Sequence, residues 1–180
     1  MKKFDCIFLD RDGTLNPDPG YINNILDYNF YDFTLPALKM MCKNNNRFCI
    51  VTNQSGVARG LIPIKNLNII NDFIKKEFSA NNISLLDIYM CFDHPNNASI
   101  RRKPGSGMFL EAKKEYNIKL SKCLMVGDSI IDMEAGKNLG METMLVLTGK
   151  GKETLKNFQD SKCITYFADN IYEGFRQLCR

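Results

Sequence analysis

A doubly wound α/β fold, a parallel sheet with helices on both faces, is the architecture this sequence predicts, and three observations predict it. Short apolar runs that read as buried strands recur along the chain and alternate with segments patterned for helices. The residues that end those runs are carboxylates, amides, hydroxyls and glycines, the composition of a ligand edge outside the carboxyl ends of parallel strands. The 180 residues suffice for one sizeable core and are few for two. No internal repeat, long linker or compositional break marks a boundary, so residues 1–180 are expected to form a single domain.

The first strand is residues 6–9, CIFL, an unbroken apolar run stopped by Asp10. A helix over 35–43 follows, with Pro36 at a position where its missing N–H does no harm. The second strand is 48–52, FCIVT. The helix over 63–78 places Leu67, Ile70, Ile74 and Phe78 on one face. The third strand is 88–92, IYMCF, and a helix over 107–116 comes after it. The fourth strand, 123–127, CLMVG, leads into a helix over 131–139 that Gly140 terminates. Residues 144–148, MLVLT, are the fifth strand, 163–167, CITYF, a weaker sixth, and 170–179 a closing helix. The asparagine-rich stretches KNNNR and HPNNAS read as surface turns.

Composition narrows the function classes. Hydrophobic residues make up 44% and charged residues 24%, as in an ordinary globular protein. The net charge of +4 suits an anionic small molecule, and the one dense basic cluster, Arg101-Arg102-Lys103, is too short for a nucleic-acid stripe. No stretch approaches the roughly 18 apolar residues of a membrane span, and the N-terminal apolar run, interrupted by Asp5, does not read as a signal peptide. A cytoplasmic protein that binds neither nucleic acid nor membrane is expected. The 7 cysteines are scattered without a C-x-x-C pair, which fits reduced thiols and not a disulfide framework.

The strand ends carry the chemistry. The first supplies Asp10 and Asp12, the second Thr52, Asn53, Gln54 and Ser55, the fourth Asp128 with Asp132 one turn into the next helix. Arg102 and Lys103 follow the third. Taken singly these have bland readings: Asp10-x-Asp12-Gly13 as a turn, Thr52 and Asp128 as helix caps, Lys103 as a solvated charge. An EF-hand is excluded, because Leu15 and Tyr21 stand where its glycine and glutamate belong. Jointly, carboxylates gathered on one edge repel unless a cation joins them. A hard divalent ion with oxygen ligands, most simply Mg²⁺, relieves that repulsion and leaves positions for phosphate oxygens. Asp10 is then free to attack the phosphate.

FLDRDGTLN, VTNQSGVARG, RRKPGSGM and VGDSIIDMEAG resemble the four motifs of the haloacid-dehalogenase-like phosphatases, in particular their histidinol-phosphate and heptose-bisphosphate phosphatase branch; GYINN and R-K-P-x-x-G-M are the finer marks. The resemblance implies a Rossmann-type fold without a separate cap domain, and a Mg²⁺-dependent phosphatase acting on a small phosphorylated sugar. It implies heptose bisphosphate before histidinol phosphate. A nucleic-acid 3′-phosphatase and a non-enzymatic module on the same fold are the alternatives. It further implies Asp10 as nucleophile, Asp12 as acid and then base, and Thr52 and Asn53 on the transferring phosphoryl group. Lys103 neutralises that group and Arg102 grips its oxygens. Asp10, Asp128 and the backbone carbonyl of Asp12 hold Mg²⁺, and Asp132 orients Lys103. Asp18, Gly20 and Tyr21, with Gln54, Ser55 and Arg59, meet the sugar. Relatives are often monomers, which is the expectation here. Those relatives usually carry a zinc loop, C-x-H and later C-x-C, after the third strand. Here Asp93 replaces the histidine and the later cysteines are missing, so no structural zinc is expected. Cys91 is then a buried strand residue, and His94 a loop residue or a substrate contact.

Overall fold

The structure, a computed structural model, describes residues 2–159 and 161–179. Six strands form one all-parallel sheet in the order β3-β2-β1-β4-β5-β6, with β1 at Ile7–Leu9, β2 at Phe48–Asn53, β3 at Leu85–Cys91, β4 at Leu124–Gly127, β5 at Glu142–Val146 and β6 at Tyr166–Ala168. The α-helices are α1 (Thr34–Cys42), α2 (Ile64–Ala80), α3 (Gly107–Tyr116), α4 (Ile130–Asn138), α5 (Gly151–Phe158) and α6 (Ile171–Leu178). This is the doubly wound architecture read from the sequence.

Side chains alternate between the two faces even in the unbroken apolar strands. Ile7, Leu9, Ile50 and Val126 pack with Leu38, Ile74 and Phe175 of α1, α2 and α6. Phe8, Cys49, Val51 and Met125 pack on the other face with Met108, Phe109 and Ala135 of α3 and α4. Central β1 and β4 are buried at every position, so their runs are continuous; the edge strands β3 and β6 are only partly buried.

The differences from the sequence reading have local causes. Strand β3 begins at Leu85, earlier than its apolar run, because an edge strand tolerates Asp87, which pairs with Lys75 at 3.0 Å. Strand β5 begins at Glu142 for a similar reason: Thr143 Oγ1 donates to the Cys163 carbonyl, and Glu142 pairs with Lys2. Helix α5 is absent from the sequence reading. It is 8 residues long and buries only Gly151 and Thr154, so Leu155 and Phe158 are too few to mark it as a packed helix. Its position matters, because it places Lys150 at the sheet's carboxyl edge.

The strand order reverses direction between β1 and β4, the neighbours that carry Asp10 and Asp128 just past their ends. A crevice opens at such a switch point, since the connections depart to opposite sides.

Candidate active site

A cleft of about 350 Å³ lies at that switch point, walled by residues following β1, β2, β3, β4 and β5. Its floor is charged. Asp10, Asp128 and Asp132 are all buried, and one carboxylate oxygen from each lies within 4.8 Å of the others. Lys103, 3% exposed, reaches in from the segment after β3. Its Nζ donates to Asp10 Oδ1 at 2.6 Å and to the Val51 carbonyl at 2.7 Å, and lies 2.7 Å from Asp132 Oδ1. Two of the ammonium protons are thus on acceptors, and Asp132 faces the same ammonium as an ion pair. Oδ2 of Asp10 accepts no hydrogen bond among the described residues.

Three carboxylates against one ammonium leave positive charge in short supply, and the proton affinities reflect it. Burial, then repulsion from Asp132 and Asp128, pushes the Asp10 carboxyl well above its ordinary range despite Lys103. Burial and Asp132 push Asp128 up to about 7. Burial disfavours a charged Lys103, but Asp10 and Asp132 outweigh it and hold the ammonium above its usual range. Oxygen-only donors short of positive charge suit a hard divalent cation, and the trio fits Mg²⁺ on that ground.

The backbone around Asp128 is shaped to its carboxylate. The Lys150 N–H donates to Asp128 Oδ2 at 2.8 Å. Gly13 and Gly149 approach the same oxygen so closely that a Cβ on either would sit 2.2 or 2.1 Å from it. The Ser129 N–H donates to Asp132 Oδ2 at 3.2 Å and fixes that side chain at the start of α4.

Asp12 stands apart from the trio. Arg11, fully buried and unanticipated by the sequence reading, grips it as a fork, Nε to Oδ1 at 2.9 Å and Nη2 to Oδ2 at 2.7 Å. Asn16 and Gln54 donate to it as well. Burial alone would raise the Asp12 carboxyl, but Arg11 and these donors hold it below its ordinary value. With the side chain so engaged, the backbone carbonyl is what Asp12 has to offer a metal, as the resemblance implies. No sequence signal distinguished Arg11 from a surface arginine; only burial beside Asp12 reveals it.

The β2 end and the following loops divide the remaining work. Thr52 is buried, lines the cleft, and accepts from Gln54 Nε2 at 2.9 Å. Gln54, which also lines the cleft, thereby ties Thr52 to Asp12. Asn53 lines the cleft, and its amide is engaged both ways with the Lys103 backbone at 3.1 Å, so it places Lys103. Arg102 lines the cleft and donates to the Asp93 carbonyl at 3.0 Å. Asp18, Gly20, Tyr21 and Ser55 line the outer part. Arg59, expected at the sugar, is exposed and is not among the cleft residues. Lys150 is among them, and the sequence reading omitted it because it omitted α5.

Beside the cleft, Cys91 is buried at the end of β3, and Asp93 Oδ2 accepts from the N–H and hydroxyl of Ser99. His94 Nδ1 accepts from the Asn96 N–H at 3.2 Å, a turn contact outside the cleft lining.

Comparison with known proteins agrees with this arrangement. Residues 100–174 match the family model described as HAD-hydrolase-like. The chain is 34% identical over 167 residues to the D-glycero-α-D-manno-heptose-1,7-bisphosphate 7-phosphatase of Campylobacter jejuni, covering 92% of this chain and 96% of that protein. It is 39% identical over 157 residues to the β-anomer enzyme of Pasteurella multocida, covering 83% and 84%. It superposes with a TM-score of 0.89 and 29% identity on the D,D-heptose 1,7-bisphosphate phosphatase of B. bronchiseptica, complexed with magnesium and phosphate, over 99% of this chain and 98% of that one.

Proposed function

The chain belongs to the haloacid-dehalogenase-like phosphatases, in the branch of the heptose-bisphosphate 7-phosphatases, and on that premise we propose that it removes the 7-phosphate of a D-glycero-D-manno-heptose 1,7-bisphosphate, acting as a single cap-less domain. The observation that carries the mechanism is Asp10 at the switch point, with Oδ1 on Lys103 and Oδ2 free of hydrogen bonds among the described residues, beside buried Asp128 and Asp132.

The Arg11 fork holds Asp12 as a carboxylate in the free chain; as substrate enters, Asp12 leaves that fork and takes up a proton from solvent. The carboxylate of Asp10 attacks phosphorus, the bond from phosphorus to the sugar oxygen breaks, and Asp12 delivers that proton to the oxygen. The sugar leaves with its 1-phosphate. Asp12, now a carboxylate, takes a proton from water, whose oxygen attacks the aspartyl-phosphate; the bond to Asp10 breaks and inorganic phosphate departs. Lys103 screens the phosphoryl charge throughout, and the Thr52 hydroxyl donates to a phosphoryl oxygen. Asp132 keeps Lys103 in place. Arg11 and Gln54 hold Asp12 until substrate enters. Asp10, Asp128 and the Asp12 carbonyl would hold Mg²⁺, which would supply neutralisation of the phosphoryl charge.

No single group suffices. Phosphate-monoester hydrolysis requires up to about 10²¹-fold acceleration, whereas one oriented donor contributes about 2.7–4 kcal/mol. Phosphate release from the α and β heptose bisphosphates, histidinol phosphate and a 3′-phosphorylated oligonucleotide tests the reading. The heptose bisphosphate is expected to give the highest kcat/KM, and preference for histidinol phosphate would discard the heptose assignment.

A further inference from the structure

The cleft carries three cations, Lys103, Arg102 and Lys150, and the fold places them differently. Lys103 is buried against Asp10, Asp132 and the Val51 carbonyl. Arg102 is anchored on the Asp93 carbonyl. Lys150 lines the same cleft with its side chain 68% exposed, and its nearest charged partner, Asp18 Oδ2, is 3.8 Å away, at the outer limit of an ion pair. Its backbone is fixed, since the Lys150 N–H holds Asp128, so the stem starts from a rigid point. An exposed pair at that distance contributes little and exchanges readily.

Topology sets where Lys150 stands. Arg102 and Lys103 follow β3, on one flank of the sheet order; Lys150 follows β5, on the other; Asp10 ends β1 between them. A substrate with one phosphate at Asp10 and Lys103 therefore meets a second cation across the cleft. Asp18 faces that cation, its Oδ1 held by the Gly20 N–H at 3.0 Å and its Oδ2 toward Lys150.

We propose that Lys150 is a specificity-determining residue that takes the phosphate not hydrolysed, exchanging Asp18 for that group when a bisphosphate binds. This rests on the heptose-bisphosphate reading above. The ammonium of Lys150 discriminates a bisphosphate from the corresponding monophosphate, and from a substrate whose far end carries an amine.

The test compares kcat/KM for heptose 1,7-bisphosphate and heptose 7-phosphate in the wild type, Lys150→Met and Lys150→Arg. Methionine keeps the aliphatic stem and leaves the backbone N–H on Asp128. The bisphosphate-to-monophosphate ratio is expected to fall about ten-fold or more in Lys150→Met, through a higher KM for the bisphosphate, and to recover in Lys150→Arg. An unchanged ratio, or equal losses on both substrates, would overturn the assignment, the second because it would mean the metal site was disturbed. A wild-type enzyme inactive on both compounds would instead bring down the heptose reading, and this inference with it.

Discussion

Lys103 shows how one side chain makes a site possible that its neighbours would otherwise forbid. It neutralises one of three buried carboxylates, and the remaining excess is the demand for a metal. Asp10→Asn removes the nucleophile and one repelling charge together. Turnover is expected to vanish while thermal unfolding shows a folded protein; a tenth of wild-type activity would contradict the role of Asp10. Asp128 gives a pH dependence whose sign can be worked out. Its carboxyl is raised from 3.8 to about 7 in the fold, so the metal-free folded chain binds the proton more tightly than the unfolded chain does. Its contribution to stability therefore declines as pH rises through that window. Mg²⁺ competes with that proton, so the Tm increase on adding Mg²⁺ should grow from about pH 6 to about pH 8. An increase independent of pH would contradict the metal assignment.

At the scale of elements, two glycines separate backbone strain from function. Gly140 ends α4 with φ +72 and open space around it; the Met141 N–H bonds to the Gly136 carbonyl and the Gly140 N–H to that of Lys137. Gly149 has φ +50 and lies against Asp128. Alanine at either position should cost about 1 kcal/mol from the left-handed backbone. Only Gly149→Ala should also abolish activity and the stabilisation by Mg²⁺, and equal activity in the two variants would contradict the cradle described around Asp128. The segment after β3 is fastened without cysteine ligands: Asp93 holds Ser99, and Arg101 reaches both Glu111 and the Met90 carbonyl. Elemental analysis of purified protein is expected to find no stoichiometric zinc; about one tightly held zinc per chain would contradict the ligand count. These elements were unequally legible. Helix α2 announced itself through Leu67, Ile70, Ile74 and Phe78, all of which are buried. Helix α5 did not, since its 8 residues carry only Leu155 and Phe158 as large apolar side chains, too few to mark a packed face.

For the whole molecule, what could be read in advance was whatever depends on strand ends. Parallel topology alone brings Asp10, Thr52, Lys103, Asp128 and Asp132 to one edge, so their convergence follows from sequence order. What could not be read depends on how loops fold back over that edge. Asn53 and Gln54 turned out to brace Lys103, Thr52 and Asp12, because an amide pairs with whatever backbone or side chain lies beside it. Arg11 and Lys150 carry no pattern that separates a buried fork or a cleft cation from a solvated charge. The central claim is that this assembly cleaves one phosphate of a heptose bisphosphate and spares the other. Incubation with heptose 1,7-bisphosphate and Mg²⁺, followed by phosphorus NMR of the products, tests it most directly. Equimolar inorganic phosphate and heptose 1-phosphate are the predicted products; heptose 7-phosphate, or no release of phosphate, would contradict the account.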